Sequence, residues 1–215
     1  MKTLILASNS PRRRELLGLI GLPFEVRPAD ITEIRKSGEL PVDYVLRLAR
    51  HKAAAIAEDQ TGLVIAADTT VVDGNELLEK PANPADARRM LQQLRGRIHQ
   101  VYTGFTITDT TSGQTHDDVC RTDVPMRDYT KAEIEAYIAT GDPMDKAGAY
   151  GIQNTGFHPA EDLGGCFASV MGLPLCHLLV GLNAFITELP GGLAERCQSF
   201  LNYDCPVYGK ILGEG

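Results

Sequence analysis

A short polar segment that carries three arginines follows the first apolar run of the chain. The run covers residues 3–7, and residues 8–11 and then Arg12–Arg14 come directly after it. Ser10 is a favoured N-cap residue and Pro11 suits the first helical position, which predicts a strand, a loop and the start of a helix. Cations are unfavourable in the first turn of a helix unless an anion compensates them. The segment therefore predicts an anion site such as a phosphate cradle, with an outward-facing basic turn as the alternative.

Two further charged residues lie where the apolar pattern predicts burial. Lys52 lies close to the apolar stripe of a helix predicted over 41–59, and Asp68 interrupts an apolar strand predicted over 63–72. A buried carboxylate must be paired, protonated or bound to a metal. Each residue also has an ordinary interpretation, namely a lysine that extends to solvent and a structural ion pair between Asp68 and an arginine.

These residues are compatible with one type of chemistry. Arginines and lysines, including Lys52 and Lys80, would neutralise a polyphosphate. Glu33 and Asp68 lie on separate segments, and two such carboxylates can hold a divalent metal and activate water. The set predicts hydrolytic attack on phosphorus, with the protein supplying positioning and charge neutralisation.

Strand-like and helix-like patterns alternate along the chain. Strands are predicted over 3–7, 24–28 and 63–72, a hairpin over 99–126, and helices from Pro11, over 41–59, from Pro84 to Gly96, over 131–139 and over 173–189. This alternation predicts the α/β fold class with a mixed sheet. Residues 1–189 form the predicted main domain. The tail 190–215 is expected to wrap over the surface or stay partly mobile, outside the active site.

Charge balance and cysteine pattern argue against several classes of protein. The chain has 21 basic and 28 acidic residues, so a general nucleic-acid binder is not expected. No apolar run reaches the roughly 18 residues needed to span a membrane, and no signal peptide is recognisable. The five cysteines form no C-x-x-C pair, which disfavours a zinc site and a disulfide framework. We expect a cytoplasmic protein with reduced thiols and with neither a membrane nor a stable nucleic-acid partner.

Seven segments resemble, in order and spacing, those of the Maf family of nucleoside triphosphate pyrophosphatases. They are ASNSPRRRELL, DITE, VLRLARHKA, AADTTVV, LEKP, DKAGAYGIQ and GLPL, within residues 3–180. The resemblance implies hydrolysis between the α and β phosphates, giving a nucleoside monophosphate and pyrophosphate, with a divalent cation such as Mg²⁺ or Mn²⁺. It also implies a twisted sheet flanked by helices, with a cleft between two lobes as in inosine triphosphatases, and a homodimer.

The resemblance also implies roles for individual residues. Asp68 corresponds to the catalytic base and, with Glu33, to the metal ligands. The implied substrate-binding residues are Ser8, Arg12, Arg13, Lys52, Thr69, Lys80 and Gln153. Arg12, Thr69 and Gln153 resemble the branch that acts on dTTP, UTP and modified uridine triphosphates, whereas the branch preferring 7-methyl-GTP carries tryptophan in place of Arg12.

Two other functions stay open on the sequence alone. The family was named for an effect on septation, so the chain could be a nucleotide-binding regulator of cell division with incidental hydrolysis. It could also act on purine nucleotides such as 7-methyl-GTP or ITP. Segment 154–171 departs from the usual family pattern. The sequence therefore does not determine which residues form that wall of the base pocket.

Overall fold

A mixed six-stranded sheet forms the centre of the computed structural model, which describes residues 2–213. The strands are β1 (Leu4–Leu6), β2 (Phe24–Val26), β3 (Leu63–Asp73), β4 (Glu76–Leu78), β5 (Ile98–Asp109) and β6 (Thr115–Pro125). Their order is β2-β1-β3-β5-β6, with β4 paired to β3. β1 runs parallel to β2 and β3, and the other pairs are antiparallel. The predicted mixed α/β fold is confirmed.

Eight α-helices and two short 3₁₀ turns surround the sheet in the described part of the chain. The helices are α1 (Pro11–Gly18), α2 (Pro41–Ala57), α3 (Pro84–Leu94), α4 (Lys131–Ala139), α5 (Phe167–Met171), α6 (Leu175–Leu182), α7 (Leu193–Leu201) and α8 (Tyr208–Leu212), and the 3₁₀ turns are Asp142–Asp145 and Ala147–Ala149. Ser10 and Asn83 accept hydrogen bonds from backbone N–H groups of the helices they precede. Thr130 and Glu133 form a reciprocal capping box at α4. Local capping chemistry therefore places these helix starts where the sequence predicts them.

The last predicted helix of the main domain is shorter than expected. The apolar pattern predicts a helix over 173–189, but α6 ends at Leu182. The chain then turns, with the Phe185 and Ile186 N–H groups donating to the Leu182 carbonyl. Phe185, Ile186 and Leu189 still pack against the core from this turn. Tertiary contacts thus bury the apolar residues without a continuous helix.

The segment from Pro190 onward forms the two helices α7 and α8, which the sequence analysis did not predict. Leu193, Ala194 and Cys197 of α7 are buried. The Arg196 side chain donates to the carbonyls of Leu19 and Ile20 at the end of α1. The tail therefore wraps over α1 and the main core through specific contacts.

Side-chain alternation along β3 explains how one strand serves two layers. Leu63, Ile65 and Ala67 join the core beneath α1 and α6. Val64 and Ala66 face the opposite side and pack with Ala53 of α2. Because successive side chains of a strand point to opposite faces, Asp68 continues the series that faces α2. The position of this carboxylate follows from the period of the strand.

A glycine in β5 allows α2 to lie close to the sheet. A Cβ atom at Gly104 would lie 2.8 Å from Val45 Cγ2 and 3.1 Å from the Leu46 backbone nitrogen. Gly104 pairs with Asp68 in the sheet, so α2 packs closely against the sheet beside the acidic side chain. The missing side chain thus brings α2 within reach of Asp68.

Gly104→Ala should destabilise the protein by about 1–3 kcal/mol, because the added methyl group overpacks this contact. Gly164→Ala is the matched control, since a Cβ there meets nothing within 4 Å. Urea denaturation of both variants measures the difference. Equal unfolding midpoints would contradict the close approach of α2.

Candidate active site

All the predicted site residues line one cleft of about 490 Å³, which we call the central cleft. It is lined by Ser8, Arg12, Arg13, Glu33, Lys52, Asp68, Thr69, Lys80 and Gln153, among others. Its walls also include Met171 from the core beneath α1 and Val71, Val101 and Tyr150 from a second core around α3 and α4. The cleft lies between two packed regions, as predicted.

Lys52 joins two carboxylates at the floor of the cleft. Its Nζ lies 2.6 Å from Asp68 Oδ1 and 2.6 Å from Glu33 Oε1. Lys52 and Asp68 are only 7% and 6% exposed, whereas Glu33 is open to the cleft. The helical period of α2 places Lys52 on its sheet-facing stripe. The lysine therefore does not extend to solvent, and Asp68 pairs with a lysine as well as lying near Arg13.

The environment separates the proton affinities of the two carboxylates. Burial raises the pKa of Asp68 and outweighs the opposing charges of Lys52 and Arg13. Partial burial also favours the neutral form of Glu33, but the hydrogen bond from Lys52 and the charges of Lys52 and Lys80 outweigh it and lower its pKa. Two carboxyl groups whose pKa values are driven apart suit different roles. Asp68 has the properties of a proton acceptor, and Glu33 those of a permanent anion.

Arg13 is held in a fixed position by three segments of the chain. Its Nε donates to the Gly172 carbonyl at 2.8 Å, Nη2 to Thr69 Oγ1 at 3.2 Å and Nη1 to Ser8 Oγ at 3.4 Å. The Thr103 hydroxyl supports Thr69 at 2.9 Å. A guanidinium carries five donors, so further N–H groups are available to a ligand. Arg13 is thus preorganised for a bidentate contact with an oxyanion.

Gly172 allows this arrangement because it has no side chain. Its φ is +114°, and a Cβ would lie 3.3 Å from both Arg13 Nε and Thr69 Oγ1. Both the backbone conformation and the close approach require glycine. This residue opens the GLPL segment, to which the sequence analysis assigned no role.

Gly172→Ala should lower kcat/KM about tenfold or more, because small displacements of a binding group cost much of the rate. Gly113→Ala is the control, since Gly113 also has a positive φ of +74° but a Cβ there meets nothing within 4 Å. Steady-state kinetics and thermal melts of both variants separate backbone strain from loss of Arg13 placement. A similar kcat/KM for the two variants would contradict the role of Gly172.

The structure adds two charged residues that the sequence analysis did not assign. Lys146 is 6% exposed, and its Nζ donates to Asp142 Oδ1 at 2.8 Å and to Asp145 Oδ1 at 2.7 Å. Asp145 also lies 3.5 Å from Arg12. Lys146 and Asp145 both line the central cleft. The available signal was the DKAGAYGIQ segment, of which only Gln153 received a role.

Residues 154–171, which depart from the family pattern, contribute little to the central cleft. Of residues 154–171, the lining contains Val170 and Met171. Phe157 instead stacks on Tyr137 at 4.2 Å, in the core around α3 and α4. The departure therefore lies mainly behind the wall of the cleft.

The two carboxylates suit a hard divalent cation. Lys52 bonds to Asp68 Oδ1 and Glu33 Oε1, so Asp68 Oδ2 and Glu33 Oε2 are the candidate ligand atoms. Mg²⁺ is commonly held by one or two carboxylates together with substrate phosphates and water. Within residues 2–213, no group of three or more His, Cys, Asp or Glu side chains is arranged to hold a metal. This donor set fits a cation that shares its coordination with a phosphate ligand.

Across residues 2–213, none of the helices is both long and apolar enough to cross a bilayer.

Comparison with known proteins gives matches to a family model, to curated relatives and to solved structures. A family model described as "Maf-like protein" matches residues 3–185. A dTTP/UTP pyrophosphatase of Anaeromyxobacter dehalogenans (strain 2CP-C) is 49% identical over 87% of this chain and 96% of its own. The dTTP/UTP pyrophosphatase of Dictyoglomus thermophilum is 46% identical over 87% of this chain and 96% of its own. The solved Staphylococcus aureus Ham1 protein aligns with 59% of this chain and 73% of its own, at 17% identity and a TM-score of 0.45.

The family match spans the segments that line the central cleft, from Ala7 to Gly172. The two curated relatives align over nearly their whole length. The resemblance inferred from the seven motifs is confirmed, and the chain belongs to the Maf family.

Proposed function

We propose that this protein hydrolyses nucleoside triphosphates between the α and β phosphates, with dTTP, UTP and modified pyrimidine nucleotides as substrates. The observation that carries the proposal is the Asp68–Lys52–Glu33 group facing Arg13 across one cleft. The curated relatives named dTTP/UTP pyrophosphatase support the choice of substrate. The products are a nucleoside monophosphate and pyrophosphate, as expected of an enzyme that removes unwanted nucleotides.

Asp68 acts as the general base in this proposal. Its raised pKa lets the carboxylate accept a proton from the attacking water more readily than an exposed aspartate would. Lys52 keeps the carboxylate ionised and fixes its orientation through Oδ1. Mg²⁺ or Mn²⁺ held by Glu33 and Asp68 would neutralise phosphate charge and acidify water.

The cationic residues bind and orient the triphosphate. Arg13 contacts a phosphate with the N–H groups that Ser8, Thr69 and Gly172 do not use. Lys80 is exposed at the cleft and Arg12 lies beside Asp145, so both can reach a phosphate without rearranging the core. Because Thr69 Oγ1 accepts from Arg13, we assign Thr69 a positioning role through that arginine.

Gln153 is our candidate for base recognition. It lies in the wall formed by residues 145–153, beside Gly151. A side-chain amide offers one acceptor and two donors, which matches the carbonyl and N–H groups of uracil and thymine. Arg12, which replaces the tryptophan of the other branch, supports the same assignment.

Pyrophosphate release from a panel of dTTP, UTP, 7-methyl-GTP and ITP, with and without Mg²⁺, tests the function. We expect the highest kcat/KM for dTTP and UTP and little turnover after chelation. A purine preference would overturn the substrate assignment. Tight nucleotide binding without turnover would instead favour the regulator of cell division.

We also propose that the protein works in the cytoplasm as a homodimer. Isologous two-fold pairs are the commonest homo-oligomers. The unbridged cysteines suit a reducing compartment. Light scattering of the purified protein should give twice the monomer mass, and a monomer at micromolar concentration would contradict the dimer.

A further inference from the structure

A second cleft, of about 840 Å³, lies along β6 and shares no lining residue with the central cleft. We call it the β6 cleft. Asp118, Cys120 and Thr122 line it from the strand, Cys166 from the loop before α5, and His177 from α6. None of these residues has a role in the proposed pyrophosphatase reaction. The β6 cleft is therefore a candidate site separate from the central cleft.

The strand period assembles an acid, an imidazole and a thiol in this cleft. Asp118 and Cys120 are two residues apart on β6, so they share one face. His177 Nδ1 lies 2.7 Å from Asp118 Oδ2, which orients the ring and directs Nε2 away from the carboxylate. The Cys120 thiol and His177 line the same cleft, and the two side chains interact electrostatically. This order of groups is the one that activates cysteine nucleophiles.

A second thiol stands beside the first. Cys166 lines the cleft together with Cys120, and the two thiols interact electrostatically. Ser169 fixes both residues, because its N–H donates to Cys166 Sγ at 3.4 Å and its hydroxyl contacts the Cys120 carbonyl at 3.5 Å. Cys120 and Cys166 are 6% and 7% exposed, and both border the cleft. A small solute in the cleft would therefore meet two cysteine residues.

Local electrostatics makes the two sulfur atoms unequal. The Cys166 hydrogen bond and the His177 imidazole lower the pKa of Cys120 well below that of an ordinary thiol, despite burial. The contact with Cys120 and burial raise the pKa of Cys166. The contact with Cys120 and the Asp118 carboxylate raise the pKa of His177. These opposite directions favour Cys120 over Cys166 as the more acidic thiol, with the His177 ring held by Asp118 at 2.7 Å.

We propose that Cys120 is a nucleophilic thiol that reacts with hydrogen peroxide entering the β6 cleft, and that Cys166 resolves the product as a disulfide. In the first step Cys120 sulfur bonds to one peroxide oxygen as the O–O bond breaks. The departing hydroxide takes the His177 proton and leaves as water, so Cys120 becomes a sulfenic acid. In the second step Cys166 sulfur attacks Cys120 sulfur, the S–O bond breaks and a second water leaves with the thiol proton. Both cysteines are oxidised to one disulfide, and one peroxide is reduced to two waters.

Alkylation of the full-length protein tests the nucleophile without any substitution. With limiting iodoacetamide at pH 6, followed by peptide mass spectrometry, Cys120 should be labelled at least about tenfold faster than Cys205, because thiolate content controls the rate. Cys205 is the more exposed residue of the two. Equal or faster labelling of Cys205 would overturn the proposal.

Histidine variants test the source of the reactivity. His177→Asn should slow labelling of Cys120 about tenfold or more, whereas His51→Asn, on the exposed face of α2, should leave the rate unchanged. An unchanged labelling rate of Cys120 in His177→Asn would show that His177 does not activate this thiol, and would overturn the proposal. Thermal melts of both variants identify any loss of folding.

Peroxide treatment tests the second thiol. One equivalent of hydrogen peroxide should give a cross-linked peptide that joins Cys120 to Cys166, in wild type and in Cys197→Ser. In Cys166→Ser the Cys120 sulfenic acid should persist and be trapped by dimedone. A different cross-link, or the absence of both the cross-link and the trapped acid, would overturn the assignment.

Discussion

Asp68→Asn should abolish hydrolysis while leaving nucleotide binding nearly intact. Asparagine keeps the shape of the side chain, and its Oδ1 can still accept the hydrogen bond from Lys52. It cannot accept a proton from water, and it removes one charge that would hold the metal. Loss of a general base costs about 10² to 10⁴ in rate. We therefore expect kcat to fall by at least that range with little change in the dissociation constant for dTTP.

Two controls show whether the loss reflects chemistry. Asp128→Asn makes the same change at an exposed ion pair with Arg95 and should retain full activity. A non-hydrolysable dTTP analogue, measured by calorimetry, should bind Asp68→Asn about as tightly as wild type. Full turnover in Asp68→Asn would refute the proposed base.

The stability of Asp68→Asn should also differ from wild type with pH. The pKa of Asp68 is raised on folding, so its ionisation destabilises the native state as pH increases through that pKa. The neutral asparagine avoids this cost. Near pH 8 the variant should be at least as stable as wild type, as measured by thermal melts, and a large destabilisation there would contradict the raised pKa.

Lys52→Met should remove activity and destabilise the protein in a pH-dependent way. The substitution leaves Asp68 buried without its closest cation and leaves Glu33 beside it. Removing one partner of a buried ion pair costs about 3–5 kcal/mol. Without Lys52 the pKa of Asp68 rises further, so protonation relieves the cost at low pH. The loss in unfolding free energy should be largest near pH 8 and smaller near pH 5.

Urea denaturation at both pH values measures this difference. Lys131→Met, at an exposed position of α4, is the matched control and should change stability little at either pH. The double variant Lys52→Met/Asp68→Asn should recover part of the loss, because it removes the uncompensated carboxylate. A loss that is equal at pH 5 and pH 8 would show that packing of the lysine stem, and not its charge, stabilises the site.

The sequence alone determined the features that depend on local capping chemistry and on the periodicity of helices and strands. Ser10, Asn83 and Thr130 cap their helices because each offers an oxygen to a free N–H group a few residues ahead. The 3.6-residue period of α2 turns Lys52 toward the sheet, and the two-residue period of β3 turns Asp68 toward α2. These rules, with the seven motifs, predicted nine of the residues that line the central cleft.

Only the tertiary structure decided how those residues act on one another. The sign of the pKa shift of Asp68 depends on a balance between burial and the charges of Lys52, Arg13 and Glu33, which come from three separate segments. The contact between Gly172 and Arg13 joins positions 159 residues apart. Sequence spacing carries no signal for such distances, because they are set by how the sheet and helices pack. For the same reason the sequence did not predict the β6 cleft, where Cys120 and His177 come together because α6 packs against β6.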